Sequence, residues 1–121
     1  MAGQFLKHLS TLLIALICLT LPDGYADSGS DSNLERGKQL VMSRSKGNCL
    51  ACHAIDDGKL PGNLGPPLLS MRMRFPDERG LREQIWGATQ RNPNSRMPPF
   101  GKHGILTEEE IDVIVEYLYS L

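Results

Sequence analysis

The sequence predicts an all-α domain of short helices joined by long loops, and three observations predict it. Thr107 and Glu110 open a capping box ahead of Ile111, Ile114, Val115 and Leu118, an apolar series at i, i+3, i+4 and i+7. No stretch alternates apolar and polar residues as a half-buried strand would, and there is no internal repeat. Residues 59–69 and 92–102 are loops rich in proline and glycine, too long for ordinary connections, and need something to organise them.

The first 26 residues stand apart from that domain. Lys7 and His8 give a short polar start, residues 9–21 form an almost wholly apolar run of 13, and Gly24-Tyr25-Ala26 places small residues where a signal peptidase reads them. A run of that length fits a secretory signal, whereas a membrane-spanning helix needs about 20 apolar residues. An uncleaved N-terminal anchor is the weaker alternative. Cys18 follows Ile17 rather than the small residue that a lipoprotein site requires, so lipidation is not expected. The expected organisation is a signal peptide over 1–26 cleaved after about Ala26, a flexible leader over 27–32, and one domain over 33–121. The product is expected in the periplasm, with no membrane attachment after cleavage.

Removing 26 of 121 residues leaves 95, one domain of a size that is marginal without a metal, cofactor or crosslink. Lys7 and Asp23 leave with the signal, so 13 bases and 14 acids become 12 and 13 and the net charge stays at −1. That balance argues against nucleic acid as a generic partner. Cys18 also leaves, and the remaining close pair, Cys49 and Cys52, is no disulfide scaffold.

Within the domain, a first helix is expected from about Leu34 to Ser43, with Leu34, Leu40 and Val41 on its apolar side. Gly37 falls mid-helix, where it costs about 1 kcal/mol relative to Ala but permits close helix–helix contact. Asp77 caps a helix expected to reach about Thr89, with Leu81, Ile85 and Trp86 inward. In the last helix, Glu108 and Glu109 sit at the positive end of the dipole.

Cys49-Leu50-Ala51-Cys52-His53 is a C-x-x-C-H sequence, the attachment signature of c-type haem. Two cysteines three apart on one helical turn can reach both vinyl groups as thioethers, and the adjacent imidazole then projects to the iron from the same side. A structural zinc site needs about four ligands, and the mature chain offers two cysteines with only His53 and His103. A thioredoxin-like pair would need a βαβ unit, which the pattern lacks. The expected cofactor is one covalently attached haem c, held by Cys49 and Cys52, with His53 on the iron.

Candidates for the second axial ligand are Met42, Met71, Met73, Met97 and His103. Met97 is favoured because Pro98-Pro99-Phe100-Gly101 follows it, a stiff, non-helical segment able to hold a thioether in place. His103 is the main competitor, and the other methionines suit core or surface. Gly65-Pro66-Pro67-Leu68 offers the Pro66 carbonyl as an acceptor for the free ring N–H of His53, although an ordinary turn is the bland reading.

These residues resemble the class I cytochrome c fold and, within it, the SoxX family, the small haem subunit of the SoxAX cytochromes of sulfur oxidation. The resemblance rests on Gly47-Asn48-Cys49-Leu50-Ala51-Cys52-His53, Gly62-Asn63-Leu64-Gly65-Pro66-Pro67-Leu68, and Arg74-Phe75-Pro76 with Ile85-Trp86. It rests further on Asn92-Pro93-Asn94-Ser95-Arg96-Met97-Pro98-Pro99-Phe100-Gly101 and Gly104-Ile105-Leu106-Thr107. It implies haem on Cys49 and Cys52, His53 and Met97 as axial ligands, the Pro66 carbonyl holding the His53 ring, and Gly37 packed near Tyr117. It also implies a SoxA-type partner that carries the catalytic cysteine and joins thiosulfate oxidatively to a cysteine of a SoxY-type carrier. The small subunit would take the electrons and pass them to a downstream cytochrome. No residue of this chain is then catalytic, in keeping with its lack of a spare thiol.

Two other functions compete with that one. A free electron shuttle would have no dedicated partner, and a haem-based sensor would need an open iron site or a signalling domain, neither of which is suggested. Between 72 and 102, seven bases (Arg72, Arg74, Arg79, Arg82, Arg91, Arg96, Lys102) face three acids, while the last helix carries five acids and no base. The basic stretch is either a docking or steering face or a merely solvated one.

Overall fold

Four α-helices and two single-turn 3-10 helices carry residues 28–121, the part of the chain that this computed structural model describes. The order is α1 (Ser28–Met42), a 3-10 turn (Cys49–Ala51), α2 (Met71–Arg74), α3 (Glu78–Gly87) running into a second 3-10 turn (Ala88–Gln90), and α4 (Glu108–Tyr119). No strand occurs among the described residues, as the sequence predicts. The expected signal peptide over 1–26 lies outside them.

α4 is the centre of the fold. Its capping box is complete: Glu110 N donates to Thr107 Oγ1 at 3.2 Å and Thr107 N to Glu110 Oε2 at 3.0 Å. Ile111, Ile114 and Leu118 are at most 2% exposed. α1 packs across α4 at Gly37, where a Cβ would lie 2.6 Å from Tyr117 Cβ, so only glycine lets the two backbones come this close.

α1 begins at Ser28, ahead of the expected start near Leu34, so residues 28–32 of the expected flexible leader are helical. Asp31 sits in the first turn, where a carboxylate favours the positive end of the dipole. Asn33 Nδ2 donates to Glu116 Oε2 of α4 at 3.1 Å. Docking on α4 carries the helix through residues whose own propensity is poor.

α2 is not among the elements that the sequence predicts. Its first residue, Met71, is 1% exposed in the core, while Met73 is 84% exposed. The end of α4 holds this turn: Arg72 Nε donates to Tyr119 O at 3.0 Å, and Tyr119 OH donates to Phe75 O. α3 starts as expected, with Asp77 Oδ1 accepting from Arg79 N at 3.0 Å. Its regular part ends at Gly87, two residues short of the expected end, and tightens into the second 3-10 turn. No helix among the described residues is long and apolar enough to cross a membrane.

Candidate functional site

The C-terminus of α1 delivers the chain to the cysteine turn. Gly47 N donates to Leu40 O at 3.2 Å and Asn48 N to Ser43 O at 2.9 Å. Asn48 then takes a left-handed conformation (φ 45°), which asparagine tolerates well, and the chain enters the Cys49–Ala51 turn. Cys52 N and His53 N both donate to Cys49 O, at 3.1 and 2.9 Å. Cys49, Cys52 and His53 therefore share one turn, as the motif's spacing requires.

The two thiols are half-buried and unpaired with one another. Burial pushes the Cys49 thiol up to about 11, and the nearness of Cys52 adds to the rise. A thiol-exchange pair needs the opposite shift. Among the described residues, no three His, Cys, Asp or Glu side chains gather as a metal cluster, which leaves a zinc site without its ligands.

The segment 62–66 lies across this turn. Gly62 N donates to Leu50 O and Gly65 N to Cys52 O, each at 2.9 Å. His53 Nδ1 is 2.6 Å from the Pro66 carbonyl oxygen. A carbonyl only accepts, so Nδ1–H is the donor, and the Nε2 lone pair is left for another partner. Gly65 lies flat against the ring: a Cβ there would sit 2.5 Å from Nδ1 and 2.7 Å from Nε2. A side chain at position 65 would collide with the imidazole.

Met97 sits on the second loop, half-buried against the same apolar core that Cys49 packs on. Its backbone N donates to Ser95 Oγ at 3.2 Å, and Ser95 N donates to Asn92 O at 2.9 Å. Beyond the two prolines, Gly101 N and Lys102 N both donate to Trp86 O of α3 at 3.2 Å. α3 also supplies Gln84, whose Nε2 lies 3.8 Å from Met97 Sδ. No spacing along the chain points to that contact. His103 is in a turn, its N donating to Pro99 O at 3.0 Å, with its side chain exposed. Met42 packs against the core from α1.

Five of the seven bases between 72 and 102 are braces within the molecule. Arg72 donates to Tyr119 O, Arg74 to Pro67 O at 2.8 Å, and Arg91 to Gly80 O at 3.3 Å. Arg79 pairs with Asp77, and Arg82 pairs with Asp112 at 2.6 Å and Glu108 at 3.0 Å. The acidic side of α4 is thus partly answered by α3, a pairing across helices that charge counts along the chain do not show.

Two thiols on one turn, an imidazole with its outer nitrogen unencumbered, a glycine against its ring and a half-buried thioether make a donor set that fits covalently attached haem. Comparisons with known proteins agree. Residues 32–118 match the family described as cytochrome C oxidase, cbb3-type, subunit III. Over 76 residues the chain is 43% identical to an uncharacterized lipoprotein of Aquifex aeolicus (strain VF5), an alignment covering 62% of this chain and 37% of that protein. The chain thus spans little more than a third of that relative's length, and the description as a lipoprotein applies to that protein; Cys18 lies outside the described residues. A chain in the crystal structure of SoxXA from P. pantotrophus superposes with a TM-score of 0.65 and 28% sequence identity, covering 73% of this chain and 80% of that one. The resemblance to SoxX-type cytochromes and the all-α class I cytochrome c fold are both borne out. The chain belongs to the family described as cytochrome c oxidase, cbb3-type, subunit III, and is a small c-type cytochrome, a class that carries covalently bound haem.

Proposed function

We propose that this protein is the electron-accepting haem subunit of a SoxAX-type L-cysteine S-thiosulfotransferase. Cys49 and Cys52 would hold one haem c through thioethers, His53 and Met97 would ligate its iron, and the Pro66 carbonyl would fix the His53 ring. The observation that carries the site reading is the 2.6 Å contact from His53 Nδ1 to Pro66 O, which leaves Nε2 as the coordinating nitrogen. The likeness to a SoxXA chain over 80% of its length supports a SoxA-type partner; a SoxY-type carrier and a downstream cytochrome acceptor complete the proposal. The secretory pattern of residues 1–26 supports export to the periplasm with cleavage near Ala26.

When bound, haem c supplies a one-electron Fe(III)/Fe(II) couple. The residues of this chain do the rest. Pro66 and Gly65 stop the His53 ring from turning, so ligation does not lapse between oxidation states. The stiff segment after Met97 holds a neutral thioether in place, and a His/Met pair raises the potential relative to two histidines, which suits an acceptor. The coupling takes place on the partner: a cysteine thiolate and thiosulfate form an S–S bond and release two electrons, which this subunit removes one at a time. With both mature thiols given to haem, the chain keeps no sulfur for the joining reaction, and the catalytic cysteine belongs to the partner.

The test is reduction of the purified haem protein by thiosulfate with and without a co-expressed SoxA-type subunit and carrier. Reduction only when both are present, with co-purification of a heterodimer, is the expected result. A lone monomer of the mature mass whose haem responds identically in their absence would make it a free electron shuttle instead.

A further inference from the structure

Gln84 and Met97 meet where α3 faces the second loop. Leu81 and Ile85 turn into the core at 3% and 5% exposure, and Gln84 lies between them in sequence, half-buried at the margin of that face. Its Nε2 is 3.8 Å from Met97 Sδ. A thioether sulfur can accept a hydrogen bond and cannot donate one, so the amide must present N–H to it rather than its oxygen. The Met97 backbone is also anchored, through Ser95 Oγ on its own N–H and the Trp86 carbonyl on Gly101 and Lys102. The amide and the thioether therefore approach from two anchored elements.

We propose that Gln84 is a positioning residue, whose amide N–H engages one lone pair of the Met97 sulfur and thereby sets how strongly the other donates to haem iron. The inference rests on Met97 being the axial ligand. A hydrogen bond withdraws electron density from the sulfur, and ferric iron loses more by that than ferrous iron. The bond therefore favours the reduced state and raises the potential, one of the levers by which proteins tune haem. It also fixes which lone pair of the sulfur faces the metal, slowing loss of the ligand.

The experiment uses the matured holoprotein with Gln84→Leu, Gln84→Glu and, as a reference, Met97→Ala. Mass and the near-infrared absorption of Met-ligated ferric haem are recorded first. Gln84→Leu is expected to keep the haem and the band while its equilibrium constant for reduction falls about threefold to tenfold, or about 28 to 59 mV for one electron. Added imidazole should displace the sulfur several-fold more readily. Gln84→Glu has the shape of glutamine but no amide N–H and carries negative charge, so its potential should fall further; it carries the test if the leucine variant fails to mature. Potentials within twofold of the parent in equilibrium constant, with unchanged imidazole affinity, would overturn the proposal and leave Gln84 a packing residue. If Met97→Ala loses the band while both Gln84 variants are silent, this inference alone falls. A band that survives Met97→Ala removes the axial assignment and the inference together.

Discussion

The turn that bears His53 is held by main chain right up to the imidazole, whereas the loop that bears Met97 adds side-chain contacts beside the thioether to its main-chain ties. Around His53, the Pro66 carbonyl, the Gly62 and Gly65 amides and the carbonyls of Leu50 and Cys52 make the contacts. Side-chain ties reach only the flanks: Lys46 pairs with Glu110 at 2.8 Å, and Lys38 pairs with Asp56 and Asp57, each at 2.9 Å. Around Met97, the Ser95 hydroxyl and the Gln84 amide act on Met97 directly, one at its backbone N–H and one at its sulfur. A backbone cradle admits one geometry, and few substitutions alter it without adding atoms. A side-chain cradle can be adjusted in steps. The histidine side should therefore fail as a unit, while the methionine side should shift in potential before it fails.

The largest expected effect is from Gly65→Ala. The new Cβ has no space beside the His53 ring, so either the ring or the segment 62–66 must move. A loss of about 3 kcal/mol in unfolding free energy is expected, together with weakened ligation by His53. Urea unfolding and the ligand-sensitive absorption bands check both. A variant as stable as the parent would show that the cradle is looser than its contacts imply.

Glu110→Gln probes a flank of the same side. Glutamine preserves the capping box but loses the ion pair with Lys46, at a cost of about 0.5–1 kcal/mol because Lys46 is part-exposed. Lys46 first, and the Thr107 backbone hydrogen bond second, hold the Glu110 carboxyl below its ordinary range. A lowered folded-state value means that this stabilisation is fully present above the ordinary glutamate pKa and is lost as pH falls through the lowered one. The difference between parent and variant should shrink on acidification, as read by thermal unfolding from neutral to acid pH. A gap that stays constant would place the effect in packing.

Ser95→Ala should be the mildest. It removes the hydroxyl that accepts from Met97 N, costing about 0.5 kcal/mol, and should lower the potential slightly without loss of haem. A drop in haem content would make the methionine side as brittle as the histidine side, and the contrast would not hold.

Much of this was legible in the sequence, and the parts that were share a cause. The Thr107–Glu110 box, the Asp77 cap and the Cys49–His53 turn are each closed by residues within four positions of one another. Hydrogen bonds of that span depend on local backbone geometry, which spacing and residue type determine together with helical periodicity. The tertiary structure decided what lies across gaps in the chain: the extension of α1 back to Ser28 along α4, the existence of α2, the use of arginines as internal braces, and the meeting of Gln84 with Met97. Those contacts depend on how the two long loops close and where each side chain then points, and no periodicity along the chain encodes that direction.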